Sequence, residues 1–168
     1  MDYDDHTALN STRKAAILVG ANLANADLRG ANLESADLDS ADLRHANLEK
    51  ANLEGANLSD AKLSGANLRG ADLYMAILFR ADLEKANLEQ AELLGVDMKE
   101  ANLRKANLRN CRLGPSNIGT ATKLQGAVLV EADIEGADFS GAVYDRKTQF
   151  PSGFNPDKHG MIIQNTQI

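Results

Sequence analysis

The sequence predicts an all-β chain wound into a parallel solenoid. Three observations predict it. Leucine recurs every five residues, as in Ala21-Asn22-Leu23, Ala26-Asp27-Leu28 and Ala31-Asn32-Leu33. Charge is confined to positions other than that Leu and the Ala two residues before it. Outward charges also tend to meet opposite signs twenty residues further on.

A period of five fits neither a helix nor a flat strand. An α-helix turns about 100° per residue, so leucines five apart scatter around its cylinder. A flat strand alternates its faces, so an odd period sends alternate leucines to opposite sides. A chain that bends by a constant angle once per unit keeps every Leu and Ala inside. In such a solenoid each rung buries its apolar face only against the neighbouring rungs. Burying one Leu contributes about 1.5–3 kcal/mol, against about 1–2 kcal/mol of backbone entropy per ordered residue.

The residue after each Leu tests the length of a turn. At a spacing of twenty, Arg29–Glu49, Glu49–Arg69, Arg69–Glu89, Glu89–Arg109 and Glu84–Arg104 are opposite in sign, and Glu34–Glu54 is alike. At fifteen, four opposite pairs compete with three like pairs. Twenty residues, four units, is favoured. Rungs then lie about 4.8 Å apart, the backbone-pairing distance. Exposed pairs contribute only about 0–1 kcal/mol each, so their expected role is register.

The repeated A-[DN]-L-x-x resembles the pentapeptide-repeat family. Twenty-one units keep register from Leu18 to Ile118. The dense repeats and the ending Tyr144-Asp145-Arg146-Lys147-Thr148-Gln149-Phe150-Pro151-Ser152-Gly153-Phe154 are similar to cyanobacterial members. The resemblance implies a right-handed quadrilateral parallel β-helix, here of about six to seven coils.

Along the chain, residues 1–14 read as an N-terminal cap or leader, with Asp5 able to cap a short helix over Thr7–Lys14. A cap would cover the open first rung. Residues 15–145 form the repeat domain. In its first half Asn22, Asp27, Asn32, Asp37, Asp42 and Asn47 supply short polar side chains that bond nearby backbone. Tyr74, Met75, Ile77, Phe79 and Leu94 then place apolar groups at outward positions. Tyr74 stacks on Leu94, with Ile77 and Phe79 on the next side, so the five make a candidate partner-binding patch. Single exposed apolar residues are also ordinary on protein surfaces. Val96 replaces an inward Ala and is expected to widen the interior. After Gly114-Pro115-Ser116-Asn117-Ile118-Gly119-Thr120-Ala121 the centres resume at Leu124, Leu129, Ile134, Phe139 and Tyr144. This spacing reads as a one-residue register slip between 118 and 124, a bulge at a corner. Residues 146–168 read as a C-terminal cap and tail. Phe150 and Phe154 are expected to fold over the last rung. The segment from Asp157 to Ile168 is expected to be loose, or else Met161-Ile162-Ile163 packs on the coil or pairs with another chain's end.

The remaining chemistry is sparse. The chain carries 18 Lys and Arg against 24 Asp and Glu, a formal charge of −6, which disfavours direct nucleic-acid binding. The acidic start lacks the apolar stretch of a signal peptide, and no apolar run reaches membrane-spanning length. The expected location is the cytoplasm, without membrane association. His6, His45 and His159 lack ligand spacing, so no metal site is expected. Cys111 stands at an inward Ala position and reads as a small buried residue rather than a nucleophile. No cofactor-binding pattern is present, and no set of residues converges on a catalytic site, so the chain does not read as an enzyme. The expected role is a rigid, non-catalytic scaffold that presents a surface to a protein partner, as a monomer or an end-to-end or side dimer. The family resemblance implies an alternative, DNA-mimic binding to DNA gyrase or topoisomerase. Two departures weaken it: arginines are interleaved with the acids, and no projecting loop is apparent. The resemblance also implies, for cyanobacterial members, a link to control of heterocyst differentiation.

Overall fold

Each five-residue unit combines one short bridged segment with one turn. The residue between Ala and Leu forms a parallel β-bridge to its counterpart twenty residues on, as in Asn22↔Asp42, Asp27↔Asn47 and Asn32↔Asn52. The next two residues turn the chain, and the second has positive φ: 62° at Gly30, 57° at Lys50 and 58° at Met75. The following Ala donates its N–H back to the Leu carbonyl, at 3.0 Å from Ala26 to Leu23. Four such units bring the chain back above its own start, giving a parallel β-solenoid with four sides. This computed structural model describes residues 15–164. The expected cap or leader over residues 1–14 lies outside them.

Ala and Leu point inward from every side. Leu38, Leu43, Leu48 and Leu53 are fully buried, as are Ala36, Ala41 and Ala46 between them. Ala is required because the chain turns there and leaves room for little beyond a methyl group. A branched residue stretches the turn. The bond from residue 96 to the Leu93 carbonyl lengthens to 3.5 Å where Val96 replaces Ala, whereas Cys111 to Leu108, at 3.2 Å, is no longer than the Ala101 turn. Val96 is accommodated fully buried, at the expense of its turn bond. Leu18, Leu23 and Leu28 of the first coil are only partly buried.

The Asn and Asp side chains hold the turns as their size suggests. Asn22 accepts the N–H of Ala24, Asn32 that of Glu34, and Asn47 that of Glu49, at 3.1–3.2 Å. They also bond one another between rungs. On one side Asn107 donates to Asn87 and Asn67 to Asn47, at 3.0 and 3.1 Å. On the opposite side Asn57 reaches Asp37, and on a neighbouring side Asn102 reaches Asp82. These ladders satisfy part of the amide groups without water.

The charge column pairs in part. Arg69 sits between Glu49 and Glu89, at 4.0 and 3.6 Å. Arg29 instead turns to Asp27 of its own unit at 2.7 Å, and Arg109 to Asp133 and Glu135. Glu84 pairs with Lys85 rather than Arg104. A closer carboxylate wins because its side chain is already held at the right height.

The regular rise ends at Leu113. Asp97 bridges Lys123 rather than residue 117, and Asn102 bridges Val128, a spacing of 26 residues instead of twenty. Six residues therefore leave the wall, and Leu124, not Ile118, stacks on Met98. This corrects the one-residue slip and the count of units in register, which included Ile118. The cause is Pro115. It falls on the second turn position, where regular units have φ near +60°, as at Lys105 (57°) and Asn110 (57°). Proline is locked near −65° and cannot take that conformation. The chain loops out instead, and Ile118 is 78% exposed at its tip.

The far end is closed by rings and a short sheet. Strand β1 (Val143–Tyr144) pairs in parallel with β2 (Ile162–Ile163), in register Val143↔Ile162 and Tyr144↔Ile163. A 3-10 turn over Asp157–His159 precedes β2. Phe139 meets Phe154 edge-on at 5.3 Å, Tyr144 meets Phe150 at 5.5 Å, and His159 stacks on Phe154 at 4.3 Å. Met161 is buried against the same core. Of the two readings of this segment, packing on the coil holds over the described residues: Met161 joins the core and Ile162–Ile163 pairs with its own chain.

Candidate interaction surface

The five apolar residues singled out in the sequence lie around one corner, but they do not form one open patch. Tyr74 and Leu94 stack on the side that carries Leu53, Leu73 and Leu93. Ile77 sits on the next side, bridged between Asn57 and Asp97, and is 42% exposed. Phe79 follows Leu78 there and is half-covered. The Arg80 guanidinium lies 4.8 Å above its ring and the Lys99 ammonium 6.0 Å away. Arg80 is itself held by Asp60 at 2.6 Å. Such a cation is attracted to the ring face, weakly so at an exposed site.

Leu94 is not a solvent-facing residue: only 9% of it is exposed. The Gly114–Ala121 excursion folds down over it. A Cβ on Gly114 would lie 3.5 Å from Leu94 Cδ2, and one on Gly95 would lie 2.7 Å from Met75 Sδ and 2.9 Å from Ser116 Cβ. Met75 and Leu94 are therefore packing surface for the excursion. The sequence signal was Pro115 at a turn position that needs positive φ, which predicts a loop in need of an apolar bed.

Thr122 ties the excursion down. It occupies an inward Ala position and is fully buried. Its hydroxyl accepts the Gly95 N–H at 2.9 Å and lies 2.8 Å from the Leu93 carbonyl and 2.9 Å from that of Gly114. The Leu93 carbonyl is the one whose turn bond Val96 stretches, so the hydroxyl supplies a replacement donor. Within the excursion Ser116 donates its N–H to Thr120 at 2.7 Å, and its Oγ accepts the Thr120 N–H at 3.0 Å.

Beside the excursion lies a recess of about 340 Å³, lined by Glu54, Asp72, Tyr74, Glu92, Leu94, Arg112 and Asn117. Asp72 accepts the Tyr74 N–H at 2.9 Å and so sets the height of that ring. Arg112 pairs with Glu92 at 2.8 Å, while the second oxygen of Glu92 is buried without a partner. The recess thus combines an aromatic face, carboxylates and one guanidinium, with Asn117 supplied by the excursion. Asn117 and Ile118 were not among the predicted surface residues.

Elsewhere the titratable groups serve structure. Burial pushes the Cys111 thiol up to about 12, and its S–H donates to the Leu88 carbonyl at 2.8 Å. A thiol so held does not act as a nucleophile at neutral pH. The Arg29 and Arg44 guanidiniums lower Asp27 and Asp42 to about 2. His45 is exposed and lies over Gly65. Among the described residues no three His, Cys, Asp or Glu are grouped to hold a metal ion, and no helix is long and apolar enough to cross a membrane.

Comparison with known proteins gives a family match described as Pentapeptide repeats, in eight copies over residues 16–55, 36–74, 76–114 and 120–143. No curated protein matches the chain. Among solved structures, HetL from the cyanobacterium Nostoc sp. strain PCC 7120 is 40% identical over 77% of this chain, with a TM-score of 0.76. It is described as a pentapeptide repeat protein involved in heterocyst differentiation regulation. The match covers 54% of HetL, so the chain spans about half of that protein's length. Rfr23 from the cyanobacterium Cyanothece 51142, also a pentapeptide repeat protein, is 28% identical over 81% of this chain and 88% of its own, with a TM-score of 0.35. QnrB1, a plasmid-mediated fluoroquinolone resistance protein, is 17% identical over 89% of this chain and 92% of its own, with a TM-score of 0.39.

Proposed function

The chain belongs to the pentapeptide-repeat family, and from that premise we propose that it is a non-catalytic scaffold that presents one corner of its coil to a protein partner. Similarity to the family supports a right-handed, quadrilateral β-helix of about six to seven coils. The surface is the corner that carries Tyr74, Ile77 and Phe79, with Met75 and Leu94 beneath the excursion and Ile118 at its tip. The observation that carries this reading is the break in the polar outer columns at this corner. Tyr74 faces a recess, and the chain leaves its wall to overhang it. Partner contacts concentrate on aromatic and apolar anchors set in such surroundings. The proposed location is the cytoplasm. A role like the one named for HetL, in heterocyst differentiation regulation, is the biological setting this similarity suggests.

The test is a pull-down with quantified partner recovery from cyanobacterial extract. Tyr74→Glu, Ile77→Glu and Ile118→Glu are exposed or half-exposed changes that leave the Leu and Ala core untouched. Loss of the same partner with each is expected. Retention of every recovered partner by all three variants would remove the assignment.

A further inference from the structure

We propose that the recess beside Tyr74 receives an arginine side chain of the protein partner, with its guanidinium laid on the Tyr74 ring and held by Asp72 and Glu54. This rests on the partner reading above and names the chemistry the partner brings. Charge is distributed unevenly around the coil. On the side that carries Leu48, Leu68, Leu88 and Leu108, outward Glu and Arg alternate from Glu49 to Arg109. On the side of the recess, the units 31–35, 51–55, 71–75, 91–95 and 111–115 hold Glu34, Glu54, Asp72 and Glu92 against Arg112. Arg112 is already engaged. It pairs with Glu92 at 2.8 Å, and its backbone bridges Asp138 on the next rung. Asp72 and Glu54 have no ion pair among the described residues.

The shape of the recess selects the cation. Its volume of about 340 Å³ is more than a water molecule or a single ion fills. Tyr74 and Leu94 form its apolar wall. Asp72 and Glu92 stand one rung apart beside them, and Glu54 lies one rung below Tyr74. Rungs are about 4.8 Å apart, so the carboxylates are spread along the coil rather than gathered at a point. Among the described residues none are grouped to hold a metal ion. A planar cation with donors around its edge fits that spread. A guanidinium stacks on an aromatic face and forks to carboxylates, whereas an ammonium is a compact point charge.

The walls also hold acceptors in want of donors. Asp72 accepts the Tyr74 N–H through one oxygen and keeps the other for a ligand. One oxygen of Glu92 is buried and accepts no hydrogen bond among the described residues, while Arg112 holds the other. Buried polar atoms are nearly always paired, so this one marks a missing donor. The terminal torsion of Glu is soft, and a donor entering the recess can draw that oxygen round. Asn117, carried in by the excursion, adds a side-chain carbonyl.

The experiment is a titration of the full chain, followed by amide nitrogen–proton correlation spectra. The probes are N-acetyl-Gly-Arg-Gly-amide and its lysine and citrulline versions, the last keeping the shape of arginine without the charge. The arginine peptide is expected to shift the Tyr74, Gly95 and Asn117 amides to saturation. Asp72→Asn and Glu54→Gln each remove one charge, and Asn32 and Asn52 already fill the place of residue 72 on lower rungs. Each variant is expected to bind the peptide about fivefold more weakly, the share of one exposed ion pair. No saturable shift up to about 10 mM peptide overturns the proposal. So does equal binding of the lysine or citrulline peptide, or unchanged affinity in both variants. Free L-arginine that binds more tightly than the peptide, the result for a small-molecule pocket, overturns it as well. The titration needs no partner. If it fails while Ile118→Glu still loses the partner, the arginine contact falls and the partner surface stands.

Discussion

Replacing Thr122 with Val keeps the size and shape of a fully buried side chain and removes only its hydroxyl. That hydroxyl accepts the Gly95 N–H at 2.9 Å and lies 2.8 Å from the Leu93 carbonyl. Without it, Gly95 keeps only the Gly114 carbonyl at 3.2 Å, and Leu93 only the stretched 3.5 Å bond from Val96. Two backbone groups are left poorly paired in the interior. Each such group costs about 1–3 kcal/mol, and the weak remaining bonds offset part of that, so a net loss of about 1–3 kcal/mol is expected. Thr122→Ser keeps the hydroxyl and gives up one methyl, for a smaller loss of about 1 kcal/mol. Urea denaturation of the three proteins measures the order. Hydrogen exchange at the Gly95 amide gives a second readout, with protection falling in the Val variant and held in the Ser variant. A Val variant within about 0.5 kcal/mol of the wild type, with Gly95 still protected, would refute the role given to the hydroxyl.

Further outcomes follow from the same geometry. Gly95→Ala places a Cβ 2.7 Å from Met75 Sδ and 2.9 Å from Ser116 Cβ at a φ of +71°. It should cost more than about 2 kcal/mol in thermal or urea unfolding, whereas Gly30→Ala, with open space around it, should cost about 1 kcal/mol from the backbone alone. Cys111 should resist a thiol reagent at mildly alkaline pH in the folded protein and react fully in denaturant; fast labelling of the native state would contradict its burial. Asp27 and Asp42 have folded-state values lowered to about 2. Stability from such depressed carboxyls is present above the unfolded value near 3.8 and is lost as pH falls towards 2. Both pairs are exposed, so the effect is small and screened. The stability gap between wild type and Asp42→Asn should narrow from pH 4 to pH 2 and with added salt, and a gap independent of both would contradict the pairing. A gyrase supercoiling assay should show no effect of the protein, because Arg69, Arg80 and Arg109 are set among the outward acids; inhibition at micromolar protein would favour the DNA-mimic alternative.

Legibility of the candidate surface was uneven. Tyr74, Ile77 and Phe79 were visible because each breaks a polar outward column, and the structure places all three around the same corner. Leu94 broke the column in the same way and proved to be buried. An apolar residue at an outward position signals contact with something, and pattern alone does not say whether that is solvent, a partner or the chain's own loop. Asn117 and Ile118 were missed because Ile118 also satisfies the five-residue spacing. The φ available to proline overrides that spacing, and the conflict at Pro115 could have been read in advance.

The sequence by itself determined the repeat and its inward residues, while charge signs twenty residues apart favoured a turn of four units. The repeat follows from local rules: a period that no helix or strand can satisfy, a methyl-sized residue where the chain bends, and short amides that bond the backbone N–H two residues on. Tertiary structure alone decided which carboxylate each arginine takes, since Arg29 prefers Asp27 within its own unit to Glu49 one rung away. It also decided that six residues leave the wall after Leu113, and that β2 returns to pair with β1. Those outcomes depend on distances between rungs and on what already occupies the surface, which no five-residue window contains.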